Sequence, residues 1–201
     1  PSLFFNEIRD MIDLVPKLEV SGNNNQDTFE IWVYDNYDEY QTIGGKVNVS
    51  LSYYPRLFVK AGFGETGRYN SVFEASGLDK RFEFTPEVNG SVQYKFISIN
   101  AVALLSYKYT GQFRRAQLDA NDELGTYTEE DFHNLDFSFS KRFFQDQLNV
   151  VAGAKNIFDV RNIRTIGSSG GVHSGSGSSR PVNWGRTFFL SINYHFKPKR
   201  T

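Results

Sequence analysis

The sequence WGRTFFLSINYHF, Trp184 to Phe196, decides the fold because apolar and polar side chains alternate along it. Successive side chains of a β-strand point to opposite faces, so a period of two predicts a strand with one apolar face and one polar face. The apolar face either covers the core of a soluble sheet protein or meets lipid in a transmembrane barrel. The apolar set is Phe188, Leu190, Ile192, Tyr194 and Phe196, and the polar set is Thr187, Ser191, Asn193 and His195.

Other segments of the chain repeat this alternation, which a single segment could show by chance. The two sets separate completely in FTPEVNGSVQYKF (84–96) and KVNVSLSY (46–53), and two apolar residues break the polar set of ISINAVALLSYKYT (97–110). The segment LDFSFS (135–140) also alternates. Partial alternation is found in LNVVAGAKNIF (148–158), SLFFNEIRDMIDLV (2–15) and LFVKAGFGE (57–65). With residues 184–196, these segments predict eight antiparallel strands.

The predicted connections between these strands alternate in length. Short turns are expected near residues 55–56, 96–97 and 145–147, and long extracellular loops near residues 17–30, 67–82, 111–131 and 161–183. The segment FEIWVYDNYDEYQT (29–42) mixes aromatic and acidic residues, which predicts an extension of the second strand beyond the membrane. Short turns at one end and long loops at the other are typical of outer-membrane barrels. We therefore predict an all-β fold, a transmembrane antiparallel β-barrel over residues 1–196 with a short basic tail at 197–201.

The composition supports the same class of protein. The 22 basic and 23 acidic residues leave a net charge of −1, which argues against nucleic acid as a partner. Cysteine is absent, which removes thiolate catalysis and cysteine zinc sites. Aromatic residues make up 16% of the chain while the mean hydropathy is only −0.45, a pairing that suits a barrel with an apolar exterior and a wet interior. No apolar run approaches the length of a membrane-spanning helix, and no signal peptide is recognised.

The placement of aromatic residues favours a membrane sheet over a soluble one. On the apolar face they cluster near the predicted short turns, while small or aliphatic residues such as Val88 and Ala101 lie in between. This distribution is typical of an interfacial girdle around an apolar band, in a protein of the bacterial outer membrane. The predicted lipid-facing girdle consists of Tyr53, Tyr94, Phe96, Tyr194 and Phe196.

Three motifs carry alternative interpretations. GFGETG (62–67) has the spacing of a dinucleotide-binding loop, but no helical pattern follows it, so glycines in a barrel wall are preferred. DANDELGTYTEE (119–130) offers calcium ligands, although Leu124 stands where the tight turn requires glycine, and an acidic loop is preferred. GSSGGVHSGSGSS (167–179) is a low-complexity loop that could also close over a ligand through His173. The calcium candidates are Asp119, Asn121, Glu123 and Glu130.

Catalysis is not expected from this sequence. His133 and His195 lie far apart along the chain, and neither has a serine, an aspartate or a metal ligand at a useful spacing. The sequence therefore predicts neither an enzyme nor a bound cofactor.

Four stretches resemble, in order, the C-terminal strands of TonB-dependent outer-membrane receptors. Gly44 and Gly45 precede an alternating run, and Asn156 to Asp159 match the Asn-aliphatic-Phe-Asp corner of the penultimate strand. Such receptors have a plug domain and about twenty-two strands, so the resemblance implies that this chain forms the last third of the barrel. The stretches are SLFFNEIRDMIDLV (2–15), YDEYQTIGGKVNVSLSYYP (37–55), GAKNIFDVRNI (153–163) and WGRTFFLSINYHF (184–196).

The resemblance implies active import of a scarce nutrient, with a metal chelate such as a siderophore, haem or corrinoid favoured over a glycan or peptide. The implied partners are outer-membrane lipid, the remaining barrel and plug, TonB acting through the plug, and a small-molecule ligand; a surface lipoprotein is left open. The alternatives are a complete eight-stranded structural or adhesion barrel and a soluble lipid-binding barrel. Aromatic and basic loop residues are the ligand-binding candidates: Tyr69, Arg114, Arg115, Tyr127, His173, Arg180 and Trp184.

Overall fold

The computed structural model describes residues 1–21, 27–70, 82–118, 124–168 and 178–196. Regular structure in these ranges is β-strand, apart from one turn of 3-10 helix at Ile97–Ile99. None of the described helical structure has the length and apolar character needed to cross a membrane. The strands are β1 (Ser2–Ser21), β2 (Asp27–Tyr53), β3 (Leu57–Asn70), β4 (Glu83–Phe96), β5 (Ala101–Thr110), β6 (Phe113–Leu118), β7 (Leu124–Glu129), β8 (Phe132–Phe143), β9 (Leu148–Lys155), β10 (Asn162–Ser168), β11 (Ser178–Pro181) and β12 (Thr187–Tyr194).

Eight of these strands form one antiparallel sheet in the order β1-β2-β3-β4-β5-β8-β9-β12. They coincide with the eight segments predicted from alternation, so the all-β antiparallel class is confirmed. The connections at residues 54–56, 97–100 and 144–147 are short, as predicted, and all three lie at one end of the sheet. We call this end of the strands the short-turn end and the opposite end the long-connection end.

The segments predicted as long loops contain regular strands. β1 and β2 remain paired from Ser2↔Lys46 to Ser21↔Asp27, so described residues of the predicted loop near 17–30 belong to a hairpin. The predicted extension of the second strand through residues 29–42 is observed as part of β2. The predicted loops near 111–131 and 161–183 contain β6, β7, β10 and β11, which form a separate sheet in the order β11-β10-β7-β6.

The apolar face of the eight-stranded sheet is exposed. Leu3 and Leu190 retain 89% and 66% of their accessible surface, and the other members of the alternating apolar sets on β2 and β12 are exposed as well. Among the described residues, the buried hydrophobic side chains are Tyr69, Ala101 and Ile163. A soluble sheet protein buries its apolar face, so an exposed face of this extent requires an apolar environment such as lipid.

Glycines and aromatic rings complement one another across neighbouring strands. A Cβ atom placed on Gly153 would lie 2.7 Å from the Phe189 ring, and one placed on Gly67 would lie 2.7 Å from the Phe84 ring. The rings occupy the space that a side chain would need, which compensates for the packing that glycine lacks in a strand. Gly62 and Gly67 of the GFGETG motif lie within β3, which continues to Asn70, so the strand-to-helix turn of a dinucleotide site is absent there.

The edges of the eight-stranded sheet are β1 and β12. Within the described residues β1 pairs with β2 and β12 pairs with β9, and no pairing joins β1 to β12. The sheet is therefore open rather than closed into a barrel of eight strands.

Candidate functional site: the polar face and the corner after β9

The pairing of the strands arranges the polar residues in rows across one face of the eight-stranded sheet. Side chains directly opposite each other in an antiparallel pair lie about 4.5–5.5 Å apart at Cβ, so each row forms a continuous surface. One row runs Asn48↔Gly62↔Asn89↔Lys108↔Asn134, and the next runs Ser50↔Lys60↔Ser91↔Ser106↔Asp136. This polar face offers amide, hydroxyl, ammonium and carboxylate groups to any occupant.

A shallow cavity of about 170 Å³ lies on this face, between strands β5, β8, β9 and β12. Ser106, Asp136 and Lys155 supply its polar lining, while Leu104 and Phe189 supply apolar contacts. The Lys155 ammonium lies 5.8 Å from the centre of the Phe189 ring, a cation–π arrangement that leaves the charge accessible.

A tight corner follows β9 at residues 156–161, and it is anchored by Asn156. This residue is buried with a φ of 51°, a left-handed conformation that asparagine tolerates better than most residues. Its Nδ2 donates to the Val160 carbonyl at 2.8 Å, and its Oδ1 accepts from the Val160 N–H at 3.0 Å. Its backbone N–H donates to Asp136 Oδ1 at 2.8 Å, which joins the corner to the lining of the cavity.

The Asp159 carboxylate holds the corner to the segment that precedes β12. It accepts the Arg186 N–H at 2.7 Å and the Arg161 guanidinium at 3.2 Å through both oxygens. The Arg186 backbone donor, followed by the Arg161 side chain, lowers the pKa of Asp159 below its ordinary value. Gly185 has a φ of 90°, and a Cβ there would lie 2.7 Å from Arg161, so glycine is required at this position.

The four-stranded sheet meets the polar face at the long-connection end. The Arg68 guanidinium lies 4.7 Å from the centre of the Phe113 ring of β6, and its Nη1 donates to Thr85 Oγ1 at 3.3 Å. Thr85 in turn donates to the Gln112 carbonyl at 3.3 Å. These contacts fix the start of β6 against β3 and β4.

The described ligand-binding candidates lie on different elements, and Tyr69 is in a buried position. Tyr69 lies in β3, is 1% exposed and packs against the Phe82 ring at 5.9 Å, so it contributes to packing rather than to an open loop surface. Arg180 lies in β11, where its Nη1 is 3.1 Å from Glu129 Oε1. Trp184 is fully exposed between β11 and β12.

The remaining candidates are described in part. Arg114 is exposed on β6, opposite Thr128. Arg115 and Tyr127 are paired residues of the β6–β7 hairpin, whose side chains lie outside the described part, and His173 lies outside it altogether. Ligand contact by these residues stays a prediction.

The predicted girdle residues lie near the short-turn end. Tyr94 and Phe96 stack edge to face at 4.7 Å, Tyr194 and Phe196 at 4.8 Å, and Tyr53 is exposed beside the first short turn. Sequence reasoning missed a second aromatic cluster, at the long-connection end: the Tyr107 hydroxyl lies 2.7 Å from His133 Nδ1, and the Tyr109 and His133 rings are 4.9 Å apart. The sequence carried a signal for this cluster, because Tyr107, Tyr109 and His133 lie in the same alternating phase as the apolar residues of β5 and β8.

Of the calcium candidates, the structure describes only Glu130, whose backbone N–H donates to the Arg164 carbonyl at 3.0 Å. Asp119, Asn121 and Glu123 lie outside the described residues. Within the described ranges, no group of three or more acidic or histidine side chains is arranged to hold a metal ion.

A family model described as outer membrane protein beta-barrel family matches residues 2–194. This match confirms two predictions from the sequence, an outer-membrane β-barrel and a location in the bacterial outer membrane. It is coarser than the resemblance to TonB-dependent receptors, which stays a prediction. Searches of the curated proteins and of the solved structures found no match.

Proposed function

The chain belongs to the outer membrane protein beta-barrel family, and on this basis we propose that it forms part of the wall of a larger transporting barrel. In this proposal the exposed apolar face contacts lipid and the polar face lines the interior. Loops at the long-connection end receive a scarce nutrient, such as a metal chelate, and energy relayed by TonB through a plug drives its import.

The observation that carries this proposal is the open edge on each side of the eight-stranded sheet. An unpaired strand edge exposes backbone N–H and C=O groups, and each group left unsatisfied in lipid costs several kcal/mol. β1 and β12 pair on one side only within the described residues. A sheet with these edges needs further strands to close in a membrane, and a barrel of about twenty-two strands would supply them.

The first test is the intact mass of the species extracted from its native membrane in detergent, followed by denaturing mass analysis of its components. The proposal expects the polypeptide of this sequence within a larger species, whose remaining mass accommodates a plug and further strands. A folded species of 23.0 kDa without partners would contradict this proposal and would favour a complete eight-stranded structural or adhesion barrel.

A second test asks directly whether β1 meets β12. Because the chain has no cysteine, single cysteines can be introduced on each edge, for example Ser2→Cys to Asn6→Cys against Ser191→Cys to His195→Cys. The large-barrel proposal expects no intramolecular disulfide at any register, while the pair Ser52→Cys and Phe58→Cys, which lie opposite in β2 and β3, serves as a positive control. Efficient cross-linking of β1 to β12 would demonstrate closure.

The proposal also concerns the class of nutrient that is imported, and growth experiments can distinguish between the candidate classes. Deletion of the protein should impair growth on one limiting source among ferric siderophore, haem, corrinoid, glycan and peptide, and complementation should restore it. Equal growth of the deletion strain and its parent on all of these sources would refute the import role, although the protein would still be a membrane barrel.

A further inference from the structure

The polar face of the eight-stranded sheet is electropositive, although the whole chain carries a net charge of −1. Between the row that contains Arg68 and the row that contains Arg142, the described side chains of this face include seven basic residues and three acidic ones. The acidic excess of the chain therefore lies elsewhere. The basic residues are Lys46, Lys60, Arg68, Lys95, Lys108, Arg142 and Lys155, and the acidic residues are Glu83, Glu87 and Asp136.

Most of this positive charge is not neutralised within the described residues. Lys108 has a carboxylate oxygen of Glu87 at 3.8 Å. No described carboxylate lies within 4.0 Å of the side-chain nitrogens of the five other exposed cations of this face. These cations are Lys46, Lys60, Lys95, Arg142 and Lys155. Their charge is therefore available to an occupant.

Lys60 is the cation of this face that has a serine opposite it on both neighbouring strands. It lies between Ser50 of β2 and Ser91 of β4 in the row across the sheet, so a serine neighbours it on each side. The Phe58 ring lies 5.2 Å from the Lys60 Nζ and supports the side chain on the same face. A lysine in a row with two serines offers ammonium and hydroxyl donors to a carboxylate or a phosphate, which accepts several charge-assisted hydrogen bonds.

We propose that the polar face binds small anions that carry carboxylate or phosphate groups, and that Ser50, Lys60 and Ser91 form one binding subsite. This inference rests on the proposed function in one respect, namely that the polar face lines a water-filled interior. A basic wall enclosed by low-dielectric surroundings concentrates anions, and an array of separate lysines lets an anion pass from one to the next. The compact point charge of lysine recognises charge more than shape, so carboxylates and phosphates are both candidates.

The experiment is isothermal titration calorimetry on the native species purified in detergent, with citrate, pyrophosphate, glucose and spermidine as probes. We expect binding of the two anions, weakened on going from 0.05 to 0.5 M salt as screening shortens the range of the charges. Binding of citrate alone would identify carboxylates as the ligand class, and binding of pyrophosphate alone would identify phosphates. Absence of anion binding, or equal binding of glucose or spermidine, would overturn the proposal.

A matched pair of variants locates the effect on the polar face. Lys60→Gln removes one charge from the subsite and should weaken anion binding roughly tenfold. Lys141→Gln makes the same charge change on the apolar face, where Lys141 lies 5.0 Å from the Phe143 ring, and should leave binding unchanged. Equal loss in both variants would indicate a non-specific response to net charge and would contradict the subsite.

The outcome is separable from that of the proposed function. The mass measurement can fail while anion binding persists, because an eight-stranded barrel would also enclose the polar face. Conversely, a large native complex that binds no anion would support the proposed transporting barrel and would refute only the anion-binding proposal. Circular dichroism and resistance to denaturation in detergent confirm that both lysine variants are folded.

Discussion

The eight-stranded sheet and the four-stranded sheet are built from the same strand geometry but depend on opposite environments. In the large sheet the apolar face is exposed, with Leu190 at 66%, so its stability depends on lipid. In the small sheet Ile163 is 5% exposed and Glu129 is buried beside Arg180, as in a protein surrounded by water. One chain thus contains a sheet with an exposed apolar face and a sheet with a buried hydrophobic side chain at Ile163.

A charge on the apolar face is the strongest test of this difference. Val49 is exposed in the middle of the alternating run 46–53 at the end of β2, and Val49→Arg should destabilise the protein in lipid vesicles by about 2–4 kcal/mol. The adjacent Ser50→Arg places the same charge on the polar face and should cost far less. Denaturant titration of folding into vesicles measures both. Equal costs would refute lipid contact at Val49.

Truncation of a buried side chain tests the opposite half of the comparison. Ile163→Ala should destabilise the small sheet by about 2–4 kcal/mol, because it leaves a cavity in a packed region. Ile166→Ala removes the same atoms from the same strand at a position that is 56% exposed, and should cost less than about 0.5 kcal/mol. Hydrogen exchange of β10 amides reports the difference. Similar protection in the two variants would contradict a packed interior.

A glycine substitution sharpens the comparison within the large sheet, where packing on the polar face is also close. A Cβ at Gly153 would clash with the Phe137 backbone carbonyl and lie 2.7 Å from the Phe189 ring, so Gly153→Ala should cost about 1–3 kcal/mol. At Gly64 the nearest atom is 3.4 Å away, and Gly64→Ala should be neutral or mildly stabilising. Unfolding in detergent by denaturant compares the two. A tolerated Gly153→Ala would contradict close packing between β8, β9 and β12 at this position.

The smallest expected effect concerns the corner that joins the two sheets. Folding lowers the pKa of Asp159, so its stabilising contribution is complete above the ordinary aspartate value near 4 and is lost as the pH falls through the lowered value. Asp159→Asn should therefore have a lower Tm than the parent chain at pH 7, and the difference should disappear at an acidic pH below the lowered pKa. Parallel thermal curves at both pH values would contradict the assigned role.

The large sheet could be predicted from the sequence because most of its strands alternate clearly between apolar and polar residues. The alternation in residues 84–96 and 184–196 identifies the strand and separates its apolar face from its polar face. Short turns were recognised because little sequence separates one alternating run from the next. These are local signals, and each is contained within one hairpin.

The small sheet and much of the site depend on contacts between residues far apart in the sequence. Arg180 meets Glu129 across 51 positions, and Tyr69 is covered by Phe82, so neither burial nor pairing is visible locally. The strands FRRAQL and NIRTIGS are short and do not alternate cleanly. The corner was recognised only as a motif at Asn156 to Asp159; its links to Asp136 and Arg186 needed the fold.

The β1–β2 hairpin has a practical consequence because of its length. β2 spans 27 residues, of which a membrane crossing uses about 11, so about 16 residues, or roughly 50 Å measured along the strand, lie beyond the bilayer. In the proposed orientation this hairpin extends farther from the outer membrane into the medium than any other described part of the chain. An affinity tag at its tip would therefore label living cells, and antibody access there would report correct insertion without breaking the membrane.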